Sequence, residues 1–434
     1  MYPMKVRPIR AAFALMILML TGPAASAASA EENILTLDQI VQTAIRRNPG
    51  ITISQQEVAA SQARVTQSKS AYLPQLTATT GYTRLNQWNP DVFTGKDYRG
   101  QYDDYQVGLT LSQYLYDFGQ TDGKVDQSRF SLSASQKGVT KTIADTVRDI
   151  KKSYYEVLKR QNLVKVNLES IRIQEEHLNQ AKAFYQAGIR PKIDVTKSET
   201  EYANSKLNLI RADYAYQSSR LDMETLLGGP PVEGKYTLAD VPTSLSAEPL
   251  SVESLVQEAG NKRPEIDQIK DLIKAAQALL KSSRAGNWPS ITANAAGGWE
   301  NKEYPLEDYW QMGVNISWPL FTGFRTQGKI AESRAEIDKL EASRRQLELQ
   351  VLNDVSVSYL GLNASIEAIT TSEFAVKQAQ ENMELADGRY KNGVGNAIEY
   401  SDAELALTQA KSNLVQAAYL YHQQVADLDH AVGR

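Results

Sequence analysis

Glu399 and Asp402 stand three residues apart, on one face of what reads as a helix. Two carboxylates at that spacing fit either of two roles. On a lone charged helix they are solvated surface acids. Gathered from several copies around an axis, they form a ring that favours cations, binds divalent ions and raises its own pKa values by mutual repulsion. A counterpart pair, Asp194 and Lys197, lies 205 positions earlier (399 − 194 = 205) and carries charges that can cancel. Each pair follows a similar turn. Tyr185, Gly188, Arg190 and Lys192 lead into Asp194, and Tyr390, Gly393 and Gly395 lead into Glu399. Gly188 and Gly393 sit where a left-handed C-cap would end one helix and send the chain back as its antiparallel partner.

No other residues make a chemical constellation. His177, His422 and His430 are scattered on helical stretches without the carboxylate spacing of a metal site, and each reads as a surface or seam residue. Gly297-Gly298 falls in a strand and Gly228-Gly229 in a linker, so neither makes a phosphate-binding loop. Zero cysteines exclude a disulfide framework and thiolate metal sites. No catalytic residue, cofactor or metal is expected. Residues 1–30 read as a secretory signal peptide: Lys5, Arg7 and Arg10, an apolar core from Ala11 to Leu20, then Ala25-Ser-Ala27 and Ala28-Ser-Ala30. Removing them takes three basic residues, leaving 44 basic against 51 acidic and a net charge of −7, which argues against nucleic acid.

The elements that must position the two turns come from a duplication. "LTLDQIVQTAIRRNP" pairs with "LSVESLVQEAGNKRP" at a shift of 215 (250 − 35), and "YLYDFGQTDGKV" with "PLFTGFRTQGKI" at 205 (319 − 114). The two repeats run about 31–228 and 250–434, joined by a Pro/Gly-rich linker at 229–249. Within each the order is two helices, a β-hairpin, a very long helix, a turn and a return helix. No proline falls between Pro90 and Pro191 or after Pro319. Val355, Tyr359, Leu362, Ile366, Ile369, Val376, Met383 and Tyr390 make a heptad seam, and Ile150 to Tyr185 repeat it in register. Helices over about 119–187 and 322–391 would each approach 100 Å, too long for a compact domain.

The hairpins, about 75–117 and 290–320, carry a period of two. Trp310, Met312, Val314, Ile316 and Trp318 alternate with Gln311, Gly313, Asn315 and Ser317; Tyr105, Val107, Leu109 and Leu111 alternate with Gln106, Gly108, Thr110 and Ser112. Apolar side chains on one face and small polar ones on the other suit strands with lipid outside and water inside. Trp88, Trp299, Trp310 and Trp318 fall where interfacial girdles would lie. An amphipathic hairpin packed on a helix gives the same alternation, and with it a soluble periplasmic coiled-coil scaffold or adaptor. Strands in lipid must close, because each unsatisfied backbone group there costs several kcal/mol; closure takes about eight strands, and four must therefore be shared between copies.

The duplicated plan, the turns at Gly188 and Gly393, and "SWPLFTGF" opening the second long helix resemble the TolC family of outer membrane efflux proteins over essentially the whole mature chain. The resemblance implies a mainly α protein with a transmembrane β-barrel portion: a homotrimer with a shared twelve-stranded barrel in the outer membrane of a Gram-negative bacterium and an α-helical barrel in the periplasm. It implies the exit duct of a tripartite efflux pump or type I secretion system, in contact with outer membrane lipid and docked to a periplasmic adaptor and an inner-membrane transporter of the RND, ABC or MFS type. Glu399 and Asp402 match that family's acidic constriction, and Tyr390 matches a tyrosine of its closed-state lock. Gly395 stands where the lock's arginine would be expected, and Arg190 and Lys192 are placed to supply the charge instead.

Overall fold

The computed structural model of the chain describes residues 33–90, 97–232, 235–242, 245, 248–249, 251–301 and 305–434. The segment read as a signal peptide and the Trp88 side chain lie outside what is described. The chain opens with a short strand β1 (Asn33–Leu35) and helices α1 (Leu37–Arg47) and α2 (Pro49–Lys69). Thr36 and Gln39 cap α1 reciprocally, and the Asn48 side chain accepts from the Gly50 and Ile51 amides to start α2 with Pro49 at its first position. A long hairpin follows, β2 (Gln75–Pro90) and β3 (Asp97–Tyr116), then α3 (Gln120–Gln186) and α4 (Lys192–Leu227). After β4 (Tyr236–Leu238) the order recurs as α5 (Val252–Lys262), α6 (Pro264–Ala285), β5 (Ser290–Asn301), β6 (Glu307–Ser317), α7 (Arg325–Lys391) and α8 (Ala397–Val432). The extra residues of the first half sit in β2 and β3, of 16 and 20 residues against 12 and 11 for β5 and β6.

At 67 residues each, α3 and α7 are about 100 Å long by the helical rise. Each lies against its return helix along an apolar seam. Val355, Leu362 and Ile369 of α7 are buried with Ala417, Tyr421 and Leu428 of α8. Among the described residues no helix is long and apolar enough to cross a membrane. Between the repeats, β1 pairs in parallel with β4, a strand inside the linker that the sequence did not announce. The buried Tyr154 of α3 pins both, donating its hydroxyl to the Leu35 carbonyl (3.3 Å) and the Ala239 carbonyl (2.5 Å).

The four long strands form one antiparallel sheet in the order β2-β3-β5-β6. Among the described residues its outer strands are unpaired on their far sides, and its apolar face is open. Trp310 (74 % exposed), Met312, Val314 and Ile316 all stand clear of the rest of the chain.

Candidate functional site

The α3–α4 and α7–α8 turns end the two helical pairs. Gly188 (φ +75°) and Gly393 (φ +78°) have the left-handed backbone that glycine adopts without strain. The Gly188 and Ile189 amides donate back to the Tyr185 and Phe184 carbonyls at 3.0 and 2.9 Å, and those of Gly393 and Val394 to Tyr390 and Arg389, both at 3.1 Å. This double bond closes each helix and reverses the chain. Asn396 then caps α8 by accepting from the Glu399 amide at 2.8 Å.

The two turns differ in what surrounds their tyrosines. Tyr185 is exposed at the surface, whereas Tyr390 is fully buried. Tyr390 packs against His177 (ring centroids 4.8 Å apart), Tyr400 (5.8 Å) and Phe184 (5.9 Å), so residues of both repeats build one aromatic cluster. His177 is buried too, stacked on Tyr400 at 3.9 Å and 8° and bonded through Nδ1 to the Ser198 hydroxyl at 3.1 Å. Burial pushes its pKa down to about 4, so the imidazole stays neutral. Burial also raises the Tyr390 phenol, and Asp194 adds to the rise. The sequence placed His177 on a surface or seam; its place in the core of the tip depends on how α8 crosses α3, which no periodicity encodes.

Arg190 ties the first turn to the second. Its Nη2 donates to the Gly395 carbonyl at 2.7 Å and to the Tyr390 carbonyl at 3.4 Å, and its guanidinium lies 4.9 Å from the Tyr390 ring centre. Gly395 is the repeat counterpart of Arg190 (395 − 205 = 190). A Cβ there would come to 3.0 Å from the Arg389 Cβ and the Tyr390 amide nitrogen, so a side chain at that position would crowd the turn. Lys192 is exposed and, among the described residues, makes no hydrogen bond or ion pair to the second turn.

The acidic pairs require two corrections. Glu399 is not a lone solvated acid, because Arg389 Nε reaches its Oε1 at 2.7 Å across the turn. Asp402 is exposed and has no ion pair among the described residues. Asp194 and Lys197 do not neutralise one another: Lys197 approaches Glu201 at 3.9 Å, and Asp194 Oδ2 is buried without a hydrogen-bond partner. Among the described residues no cluster of acids and histidines could hold a metal ion. One buried carboxylate escaped sequence reading. Glu404 is buried between α8 and α3, accepting from Ser170 Oγ (2.6 Å), Gln174 Nε2 (2.7 Å) and Thr408 Oγ1 (2.9 Å).

Of the tryptophans, Trp299 and Trp318 are more than half exposed, like Trp310, and Trp318 Nε1 donates to the Asn287 carbonyl at 3.2 Å. An open amphipathic sheet carried on two helical pairs about 100 Å long, with tied turns at the far end, defines an outer membrane duct. The chain belongs to the outer membrane efflux protein family, whose pattern matches residues 40–229 and 255–434, once in each repeat. It is similar to the outer membrane protein TolC of Vibrio cholerae, 26 % identical over 92 % of this chain and 90 % of that one. It is similar also to the pyoverdine export outer membrane protein OpmQ of Pseudomonas aeruginosa, 22 % identical over 92 % and 85 %. Among solved structures, the outer-membrane channel OprN superposes with a TM-score of 0.82 at 18 % identity, over 92 % of this chain and 89 % of that one. The chain is thus an exit channel of the outer membrane of Gram-negative bacteria and not an enzyme; the scaffold reading is set aside.

Proposed function

We propose that three copies assemble into a passive duct, closed at its periplasmic end by the tied turns, and that it works with a periplasmic adaptor and an inner-membrane transporter of the RND, ABC or MFS type. The observation that carries the reading is the sheet. Four strands leave β2 and β6 with unpaired edges beneath an apolar face, and hydrocarbon tolerates no such edge. Three copies supply twelve strands and join β6 of one to β2 of the next. Two further surfaces support the same assembly. Leu207, Ile210, Tyr214 and Leu221 make an exposed apolar stripe on α4, and Leu349, Val357, Leu360 and Phe374 make one on α7; neither is covered by the described residues. Residues 1–30 direct export and are then removed, and the linker around β4 forms a belt at the junction of the repeats. Around the trimer axis Asp402 and Glu399 line the mouth as an acidic constriction, Arg190 holds it shut by way of Tyr390 and Gly395, and Trp299, Trp310 and Trp318 meet the membrane interfaces.

The test is fractionation followed by electrophysiology. The mature chain should be recovered in the outer membrane as a trimer that dissociates only on heating, and should insert as a low-conductance channel in planar bilayers. Recovery as a monomer in the periplasmic extract overturns the proposal.

A further inference from the structure

One row of the sheet runs Thr79, Gly108, Gly298, Tyr309, each residue the register partner of the next across β2, β3, β5 and β6. Register partners in antiparallel strands share a face. The row therefore lies opposite Val107 and Trp310, on the side that meets water once the sheet closes on a lumen.

Two glycines adjoin in the middle of this row, although glycine weakens a strand interior and calls for a local reason. A Cβ on Gly298 would overlap the Val107 carbonyl oxygen. A Cβ on Gly108 would stand 2.9 Å from the Tyr309 hydroxyl oxygen. That second distance fixes the pose of the ring. Tyr309 belongs to β6, and Gly108 lies on β3, two strands away or roughly 10 Å by the ordinary strand spacing. A tyrosine standing perpendicular to the sheet would leave its hydroxyl above its own strand. To reach β3 the ring must lie along the wall, across Gly298. Gly108 is accordingly buried while Val107 and Leu109 beside it are exposed, and Gln106 Nε2, on the same face, donates to the Tyr309 hydroxyl at 3.5 Å.

We infer that Gly108 and Gly298 pave a recess that holds Tyr309 flat against the wall, and that this recess sets the bore of the membrane segment. The inference rests on the duct reading above. Gly108 is a positioning residue that acts through the ring of Tyr309, which covers the backbone it leaves bare, while Gly298 lets the β3 backbone come close beside it. A side chain at 108 turns the ring off the wall and into the lumen, once for each copy around the axis.

The test is single-channel conductance of purified trimers opened at the tip by Arg190→Ala. Adding Gly108→Ala should lower the conductance, and adding Tyr309→Ala to that variant should restore or exceed it. Gly108→Ala trimers that conduct as their parent, or a double variant that stays as low, overturn the inference. A second arm covers failure of Gly108→Ala to assemble. The chain has no cysteine, so Tyr309→Cys carries the sole thiol. A bulky, water-soluble thiol reagent should react there and reduce conductance, and should leave the lipid-facing Trp310→Cys unmodified. The opposite labelling pattern overturns the inference with the duct reading intact. Absence of any channel from the parent removes the duct reading and this inference together.

Discussion

Replacing Arg190 by alanine removes the one side chain that binds the second turn to the first through the Gly395 carbonyl. The structure allows the loss to be sized. The 2.7 Å bond from a guanidinium to that carbonyl is charge-assisted, worth about 1.5–3 kcal/mol. The guanidinium over the Tyr390 ring at 4.9 Å adds about 0.5–1 kcal/mol for a half-buried pair. Gly395 is buried, so its carbonyl is left without a donor, which places the total toward the top of a range of about 2–4 kcal/mol per copy. At 1.4 kcal/mol per tenfold, the balance between tied and parted turns moves by roughly 30- to several-hundred-fold. The closed-state leak in planar bilayers should rise accordingly, and intact cells should admit antibiotics too bulky for the closed mouth. Arg190→Lys keeps the charge but loses the planar fork and the ring contact, and should fall between the two. Tyr390→Phe is the internal control. Its hydroxyl has no hydrogen-bond partner among the described residues, so the variant should leak little more than the parent. A parental leak in Arg190→Ala, or an equal leak in Tyr390→Phe, refutes the reasoning.

Three further outcomes are expected. The unfolded chain protonates His177 near the ordinary 6.5 and the folded chain only near 4, so stability is lost as pH falls between those values, by up to roughly 3 kcal/mol. His177→Phe should flatten that part of the acid dependence in denaturant unfolding at pH 7 and pH 4.5; equal acid sensitivity in both proteins counts against it. Glu399→Ala with Asp402→Ala should weaken cation preference and abolish block by divalent cations in bilayers, with Asp402 carrying the larger share because Arg389 already pairs with Glu399; unaltered selectivity returns both to solvated acids. Gly395→Ala crowds the Tyr390 amide and should cost about 1–3 kcal/mol at the turn, raising the leak with Arg190 still in place; an unchanged leak shows that the turn yields without cost.

Much of this architecture is legible in one sequence because the duplication prints it twice. Proline-free heptads announce α3 and α7, and alternation announces β3 and β6, since both depend on local periods that burial enforces. The tip is legible only in part. Sequence registers Tyr185 and Tyr390 as equivalents, but within one chain α8 packs against α3 around Tyr390, so that ring is enclosed while Tyr185 stays exposed. The Arg389–Glu399 pair spans ten residues and closes only through the turn geometry at Gly393 and Asn396. Glu404 resembles any acid on a charged helix until the register of α8 on α3 sets Ser170 and Gln174 opposite it. The parallel pairing of β1 with β4 rests on three residues each, too few to carry a pattern.

The two kinds of joint in the helical wall differ in a way that locates the control of the mouth. Within the second hairpin, α7 and α8 meet through Val355, Leu362, Ile369, Tyr421 and Leu428, a seam held by apolar area and insensitive to salt. Between hairpins, α3 meets α8 through partly exposed ion pairs, Lys151–Asp429 (3.5 Å), Lys152–Asp427 (2.8 Å) and Lys411–Glu169 (2.9 Å), and between them through the buried Tyr419, bonded to Asn162 at 2.7 Å, and the Tyr155–His422 stack at 4.9 Å. The ion pairs exchange for water at little cost and are screened by salt, so they hold the hairpins in register without binding them tightly, whereas the Tyr419 and His422 step is buried. The tip end of the seam is buried as well. Glu404 is buried among neutral donors, and parting it from Ser170 and Gln174 leaves a desolvated carboxylate short of partners. The His177–Tyr400 stack and the Arg190 bond lie just beyond it toward the turns. Resistance to separation therefore lies at two places, the buried Tyr419 and His422 step and the last turns of the helices, while the partly exposed ion pairs tolerate change one at a time.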